Sequence, residues 1–305
     1  MKIAIHGLGR MGMQIAHKLA DDQHQVIAHN RSLDKVEEAV NAFNAIKTET
    51  KEQVMQAFNE DEIVVIWLML PAEVVDQQVD EWFKLLPTRS IIIDGGNSDF
   101  RLTKKLNQRV TEKGLRLVDV GVSGGVWGYQ NGFSMMAGAD SKEAFEIIEP
   151  ALKSLAKPEG GYAYFGPSGS GHFVKMVHNA IEYGMMESLA EGYQILKEGP
   201  YKSIDLATAG DVWQHHSVIT SWLNELCRDE LKDNPQLENN NGYVAQNGEA
   251  KWTLETAQRY QLPMPAIQAA LNVRIASQQG QVSFATKLLA AMRNRFGGHA
   301  FNKDD

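Results

Sequence analysis

Lys175, His178, Asn179 and Glu182 carry the side chains in this chain best suited to moving protons. They stand at relative positions 0, 3, 4 and 7. In a helix, at about 100° per residue, they share an arc of roughly 100°, so all four can face one pocket. A lysine able to lose a proton and a carboxyl group able to deliver one then sit on one face, with an imidazole and an amide between them. The run begins after Gly169-Ser170-Gly171, a glycine-rich turn. A lysine near a helix start is ordinarily a solvated charge. Here Phe173, Val174, Met176 and Val177 flank Lys175 with apolar surface, which makes solvation the weaker reading and proton handling the stronger one. His17, His215 and His216 have no such company and read as surface or packing groups. Trp127, Trp213, Trp222 and Met185-Met186 read as packing.

The elements that must position this helix divide the 305-residue chain in two, in line with the size of ordinary domains. Residues 1–166 alternate short apolar strands with helical patterns. Strands are predicted at Lys2–His6, Gln25–His29, Ile63–Leu70, Ser90–Asp94, Leu115–Val120, Phe133–Ala137 and Tyr162–Phe165. That alternation predicts an α/β Rossmann-type domain, a doubly wound parallel sheet covered on both faces. From Gly169 onward the strand signal fades. Helical stretches are separated by Gly199-Pro200, Asn234-Pro235, Asn240-Asn241-Gly242 and Pro263-Met264-Pro265. Residues 167–305 are therefore predicted to form an all-α domain, with the boundary near Pro167.

Gly7-Leu8-Gly9-Arg10-Met11-Gly12 follows the first strand and opens a helix whose apolar face is Met11, Ile15 and Leu19. In that context the first glycine permits a tight turn. The second lets backbone approach a pyrophosphate, the third allows close helix–strand packing, and the helix N-terminus attracts the anion. The motif predicts a nicotinamide dinucleotide. NAD-preferring sites usually place a carboxylate after the second strand to accept from the ribose 2′-hydroxyl. This chain has His29-Asn30-Arg31-Ser32 there. Arg31 can pair with a 2′-phosphate while Asn30 and Ser32 add hydrogen bonds, so NADP is expected, with NAD possible. Leu70 and Asn97, after later strands, complete the candidate cofactor contacts.

Two more loops fall where a doubly wound sheet presents ligands: Asp94-Gly95-Gly96-Asn97-Ser98 and Ser123-Gly124-Gly125. Ser123 and the glycines after it can offer a hydroxyl and bare backbone N–H groups to an anion. The formal net charge of −8 comes without any lysine- or arginine-rich tract, which argues against nucleic-acid or membrane-surface partners. Cys227 is the only cysteine, so neither an intrachain disulfide nor a cysteine metal cluster can form. Met1-Lys2-Ile3-Ala4-Ile5 reads directly as a strand, not as a signal peptide, and Ile63–Leu70 is too short to span a bilayer. Cytoplasm is the expected location.

The stretch Gly171-His172-Phe173-Val174-Lys175-Met176-Val177-His178-Asn179-Ala180-Ile181-Glu182-Tyr183 closely resembles the catalytic helix of the 6-phosphogluconate dehydrogenase family. The two glycine loops, the dinucleotide motif, Lys251-Trp252-Thr253 and the tail Arg293-Asn294-Arg295-Phe296-Gly297-Gly298-His299 are similar to that family too. The resemblance spans essentially the whole chain and looks like the family's short form, within the β-hydroxyacid dehydrogenase superfamily. It implies oxidative decarboxylation of 6-phosphogluconate to ribulose 5-phosphate, in the pentose phosphate pathway and gluconate utilisation, with no metal. Lys175 and Glu182 would be the catalytic pair. Asn97, Ser123, Gly124, Gly125, His178 and Asn179 would hold the sugar acid, and Tyr183, Arg274, Arg293 and His299 its phosphate. It also implies a homodimer or homotetramer in which the tail, with Arg293 and His299, completes a neighbour's site.

One segment departs from the longer enzymes of that family. Their lysine and threonine ahead of Lys-Trp-Thr fall here on Asn247 and Glu249. A carboxylate beside a dianion is unfavourable unless it turns away or pairs with a cation. Two other readings compete. A non-decarboxylating β-hydroxyacid dehydrogenase, such as one acting on 3-hydroxyisobutyrate, would not explain His178, Glu182-Tyr183 or the tail. A dinucleotide sensor without turnover would be expected to have lost Lys175 or Glu182.

Overall fold

The computed structural model describes residues 1–298 of the chain. They form two compact units, residues 1–175 and the part from Met176 onward. The division falls inside one continuous helix.

The first unit is built on an eight-stranded sheet among the described residues. Its strands are β1 (Lys2–His6), β2 (Gln25–His29), β3 (Ile46–Lys47), β4 (Val65–Leu68), β5 (Ile91–Asp94), β6 (Arg116–Ser123), β7 (Ser134–Gly138) and β8 (Gly161–Tyr164). The spatial order is β3-β2-β1-β4-β5-β6-β7-β8. β1 to β6 are mutually parallel, β7 pairs antiparallel with β6, and β8 pairs parallel with β7. Helices α1 (Arg10–Asp21), α2 (Leu33–Phe43), α3 (Lys51–Gln56), α4 (Ala72–Trp82), α5 (Phe100–Glu112), α6 (Gly128–Asn131) and α7 (Lys142–Ala156) connect the strands. This is the expected doubly wound architecture with two differences. β3 is only two residues long and exposed on both, so no apolar alternation marked it. The last two strands run opposite to β6: the chain leaves β6 at Ser123, passes through α6 and returns along it as β7, with Gly132 at a positive φ of 93° just before β7.

The strand residues sort by alternation. Ile3, Ile5, Trp67, Ile91, Ile93, Val118 and Val120 pack on one face with Ile15 and Leu19 of α1 and Ile148 and Leu152 of α7. Ala4, Ile66, Leu68, Ile92 and Leu117 pack on the other with Val75, Val79 and Trp82 of α4 and Leu106 and Val110 of α5. A sheet buried on both faces needs near-continuous apolar strands, and each fully buried aliphatic side chain contributes about 1.5–3 kcal/mol.

α8 (Ser170–Glu198) begins in the first unit and continues as the spine of the second. Helices α9 (Leu206–Gln214), α10 (Trp222–Asp233), α11 (Glu249–Arg259), α12 (Pro265–Gln278) and α13 (Phe284–Gly297) follow, with no further strand among the described residues. Met186, Ala190 and Tyr193 of α8 share a core with α9, α10 and α13, and the single cysteine, Cys227, is buried in it. Ala180 and Tyr183 share a smaller core with Ala250, Ile267, Ala270 and Leu271 of α11 and α12. Side chains close several helix starts: Asp205 caps Thr208, Ser221 caps Asn224, and Ser283 forms a capping box with Thr286. Among the described residues no helix is long and apolar enough to cross a membrane.

Two buried histidines end β1 and β2. His6 Nδ1 accepts the Trp82 indole N–H at 3.1 Å, and the His6 and His29 rings lie 4.8 Å apart. Burial, the neighbouring imidazole and Lys51 hold His6 down to about 3, while burial and Lys51 hold His29 down to about 4. A depressed histidine stays neutral in the folded chain while the unfolded chain takes up a proton near pH 6.5. Stability is therefore fully present above about pH 6.5 and falls as the pH drops towards the folded values, by up to about 2 kcal/mol per histidine at pH 5. Urea unfolding followed by the buried Trp67 and Trp82 is expected to show this loss between pH 7 and 5. His29→Phe should remove about half of it; an unchanged pH dependence in that variant would contradict the assignment.

Candidate active site

The carboxyl end of the first unit's sheet is assembled from glycines at close approaches. Gly7 has φ of +107°, and a Cβ there would sit 2.4 Å from the Met69 carbonyl oxygen; one on Gly12 would sit 1.9 Å from the Gly7 oxygen. A Cβ on Gly9, by contrast, would meet nothing within 4 Å. Gly7 and Gly12 are thus glycine for internal packing, whereas the space at Gly9 is open. Gly9 caps α1, which begins at Arg10 with neither a side-chain cap nor an acidic residue in its first turn. The helix start thus presents N–H groups and a positive dipole end, which fits a dinucleotide pyrophosphate. Arg10 and Met11 form that first turn. Leu70 lies against both Gly7 and Gly96, so the structure brings the loop of Asn97 to the glycine motif.

Asn30 shapes the motif from the next strand. Its Oδ1 accepts the Leu8 N–H at 3.0 Å and its Nδ2 donates to the Ser32 carbonyl. Arg31 and Ser32 are exposed at the start of α2. An exposed guanidinium with no carboxylate in the Asn30-Arg31-Ser32 segment suits a 2′-phosphate better than a 2′-hydroxyl.

Asp94 ends β5 and folds its loop back, its carboxylate accepting the Gly96 N–H at 3.1 Å and the Ser98 hydroxyl at 3.1 Å. β6 extends to Ser123, three residues beyond the expected end, and Gly124 and Gly125 follow with φ of +135° and +53°. Beside these loops the first turns of α8 press on the sheet. A Cβ on Gly121 would lie 2.3 Å from Lys175 Cβ, and one on Gly171 would lie 2.4 Å from the Met136 oxygen. Fully buried Asp119 accepts the Gly169 N–H at 2.7 Å and the His172 N–H at 2.9 Å, at the N-terminus of α8. Burial nonetheless pushes Asp119 above the usual carboxylate range, against the pull of His172 and of these two N–H groups. His172 is tied in turn to Thr103 at 2.7 Å and to the Asp94 carbonyl at 3.2 Å. Lys175 is half-buried one and a half turns into this anchored helix.

In the second unit α8 carries His178, Asn179, Glu182 and Tyr183. Arg274 of α12 and Arg293 of α13 are only 2% and 5% exposed. The Arg274 guanidinium lies 3.3 Å from the Tyr183 ring centroid, a cation–π contact. Burial lowers Arg274 to about 10, so it remains a cation at neutral pH, and burial lowers Arg293 in the same direction. Tyr183, Glu182 and Glu249 offset both cations electrostatically. Burial raises the Tyr183 hydroxyl, against the pull of Arg274. The phosphate-binding candidates Tyr183, Arg274 and Arg293 are thereby brought together within one chain, Arg293 included. His299 lies outside the described residues.

The sequence did not single out Asp119, His172 or Gly121, which hold α8 in place, and it placed Glu249 only as a misfit. Glu249 is 3% exposed and accepts from Asn179 Nδ2 at 2.9 Å. Thr253, flagged within Lys251-Trp252-Thr253, donates to the carbonyls of Met176 and Glu249, tying α11 to α8. Glu187, one turn beyond Tyr183, was also missed; burial, with Glu191 nearby, pushes its carboxyl up to about 7.

A family model described as the NAD binding domain of 6-phosphogluconate dehydrogenase matches residues 2–167, and one described as that enzyme's C-terminal domain matches residues 171–286. A Bacillus subtilis relative is 37% identical over 303 residues, covering 99% of this chain and all of its own. The Haloferax volcanii protein named 6-phosphogluconate dehydrogenase, NAD(+)-dependent, decarboxylating, is 33% identical, with both chains covered in full. The Plasmodium falciparum 6-phosphogluconate dehydrogenase, whose structures include complexes with its cofactor NADP+ and its substrate, superposes with a TM-score of 0.83 at 26% identity. That match covers all of this chain and 67% of the Plasmodium chain.

Overpacking at the α8 contact generates a direct test. Gly121→Ala is expected to lower the free energy of unfolding by about 1–3 kcal/mol, since neither β6 nor Lys175 Cβ can retreat cheaply. Gly184→Ala, on the same helix with nothing within 4 Å of its added Cβ, should instead raise it by up to about 1 kcal/mol. Equal effects of the two substitutions in denaturant titrations would refute the close-approach reading.

Proposed function

The chain belongs to the 6-phosphogluconate dehydrogenase family, and we propose that it oxidises and decarboxylates 6-phosphogluconate to ribulose 5-phosphate with NADP as the preferred acceptor. The observation that carries this reading is α8 itself, with Lys175, His178, Asn179 and Glu182 at the family's spacing on one continuous helix. Gly7, Gly9, Gly12 and the start of α1 would hold the dinucleotide, and Arg31 its 2′-phosphate. When bound, the nicotinamide supplies a two-electron sink for the hydride on C3 of the sugar acid.

The remaining steps use this chain's own groups. Lys175, entering neutral, takes the C3 hydroxyl proton as the hydride departs. A neutral lysine requires a lowered pKa, of the kind that burial or a nearby cation can produce. The resulting 3-keto acid loses carbon dioxide because its ketone accepts the electron pair of the breaking bond. Lys175, now protonated, donates to that oxygen as it becomes an enol hydroxyl. Glu182 then protonates C1 of the enediol, the former C2 of the sugar acid, while Lys175 takes the enol hydroxyl proton back, giving the ketose. Asn97, Ser123, Gly124, Gly125, His178 and Asn179 orient the sugar acid, and Tyr183, Arg274 and Arg293 bind its phosphate. Both arginines are desolvated before any ligand arrives, so a dianion there would displace little water from them.

The reading extends to setting. A single buried cysteine and a phosphorylated sugar-acid substrate suit the cytoplasm and the pentose phosphate pathway. The tail pattern through His299 supports a homodimer or homotetramer in which the tail completes a neighbouring site.

Purified protein given 6-phosphogluconate and NADP is expected to release carbon dioxide and form reduced cofactor in equal amounts, and Lys175→Met should lose at least about 1,000-fold in kcat. Reduced cofactor without carbon dioxide would overturn the decarboxylation and point to a simple β-hydroxyacid dehydrogenase; the absence of both signals would overturn the whole proposal. Arg31→Asp should shift the ratio of kcat/KM for NADP over NAD by at least about tenfold towards NAD, one lost charge-assisted contact being worth that much.

A further inference from the structure

Glu249, His178 and Asn179 form a hydrogen-bond chain whose direction chemistry fixes. Asn179 Nδ2 donates to Glu249 Oε1 at 2.9 Å, and Asn179 Oδ1 lies 2.9 Å from His178 Nδ1. The amide thus turns its NH2 towards Glu249, whose Oε1 is the acceptor. That leaves the amide oxygen towards His178. An amide oxygen also only accepts, so Nδ1 of His178 must carry the hydrogen. In the neutral ring Nε2 is then the acceptor.

The carboxylate at the head of this chain is itself built in. Glu249 is the first residue of α11, after Gly248 at φ of +97°, where the helix dipole favours negative charge. It is 3% exposed, and its backbone carbonyl accepts the Thr253 hydroxyl at 2.8 Å. Its charge acts on Arg274, Arg293 and Tyr183. A carboxylate so placed does not have to face the phosphate as a repulsive stranger. It has a partner on α8 and a helix N-terminus behind it.

We propose that Glu249 is a positioning residue that orients Asn179 and, through it, sets His178 in the Nδ1–H tautomer, so that Nε2 accepts a hydrogen bond from a hydroxyl of the sugar acid. The inference rests on the reading of His178 and Asn179 as sugar-acid contacts, but its first half concerns the protein alone. Without Glu249 the Asn179 amide is at liberty to flip, and with its NH2 towards His178 the ring must adopt the opposite tautomer. Nε2 then carries a hydrogen and becomes a donor, which leaves a substrate hydroxyl without its acceptor. Glutamine at position 249 can still present an amide oxygen to Asn179, so Glu249→Gln preserves the chain where Glu249→Ala removes it.

The test uses the full chain with 15N-labelled histidine. Long-range 1H–15N correlation spectra assign the ring tautomer of His178, identified by loss of its signals in His178→Gln. The wild type and Glu249→Gln are expected to show Nδ1–H, and Glu249→Ala a mixture or a reversal. Nε2–H in the wild type, which needs no variant to fold, would overturn the proposal, as would an unchanged tautomer in a folded Glu249→Ala. In steady-state assays with 6-phosphogluconate, Glu249→Ala should lose about 10- to 100-fold in kcat/KM, the scale of a misaligned contact. Its KM for NADP should stay within about twofold, and Glu249→Gln should recover most of the loss. A KM for NADP that rises as much as kcat/KM for 6-phosphogluconate falls would overturn the positioning role. Failure of the wild type to turn over 6-phosphogluconate would instead sink the functional reading and leave the tautomer result standing.

Discussion

A buried carboxylate under the start of one helix is the constraint on which the rest depends. Asp119 accepts two N–H groups at the N-terminus of α8 from a position with no solvent exposure. Desolvating that charge is unfavourable, as the upward shift of its pKa shows; the helix dipole and the two hydrogen bonds offset it. Deleting the carboxylate would strand two buried donors, at about 1–3 kcal/mol each. The glycines at 121, 138 and 171 then let the helix approach the backbone of β6 and β7 closer than any side chain would permit. Anchor and close approach together leave α8 little freedom to slide or turn. Lys175 inherits that precision, which the acid–base role proposed for it demands.

The second unit answers a different electrostatic problem. Two guanidinium groups, Arg274 and Arg293, are held almost out of water. Buried cations are tolerable only with compensation. It is supplied by the Tyr183 ring face, worth up to about 2 kcal/mol when desolvated, and by Glu182 and Glu249, whose charges oppose both. Glu249 thus has two duties, balancing buried positive charge and holding Asn179. Against a threonine of the longer enzymes it looks like a loss of phosphate affinity; within this chain it is part of the framework.

Much of this was legible in the residues, for identifiable reasons. Strands such as Lys2–His6 and Ser90–Asp94 announced themselves because each buries both faces, and the glycine motif because its glycines follow the first strand and open a helix, with Gly7 and Gly12 at close internal contacts. The face formed by Lys175, His178, Asn179 and Glu182 followed from helical period alone. What escaped was tertiary. β3 has two exposed residues and no pattern to read. Asp119 sits within an apolar strand, and only the fold shows that a helix N-terminus lies over it. Gly121 looks like any strand glycine until Lys175 is found against it. Glu249 read as an anomaly because its partner, Asn179, stands 70 residues earlier. Arg293 stands 110 residues after Tyr183 in the sequence, and only the fold shows the two near each other and near Arg274.

The central claim is that α8 brings one base and one acid to a single sugar acid. Solving the structure of the chain with 6-phosphogluconate and NADP bound tests it most directly. The account predicts Lys175 Nζ within about 3 Å of the C3 hydroxyl oxygen and the Glu182 carboxyl beside C2, the carbon it protonates once C1 has left as carbon dioxide. A sugar acid whose C3 hydroxyl faces some other base, with Lys175 turned to solvent, would contradict it.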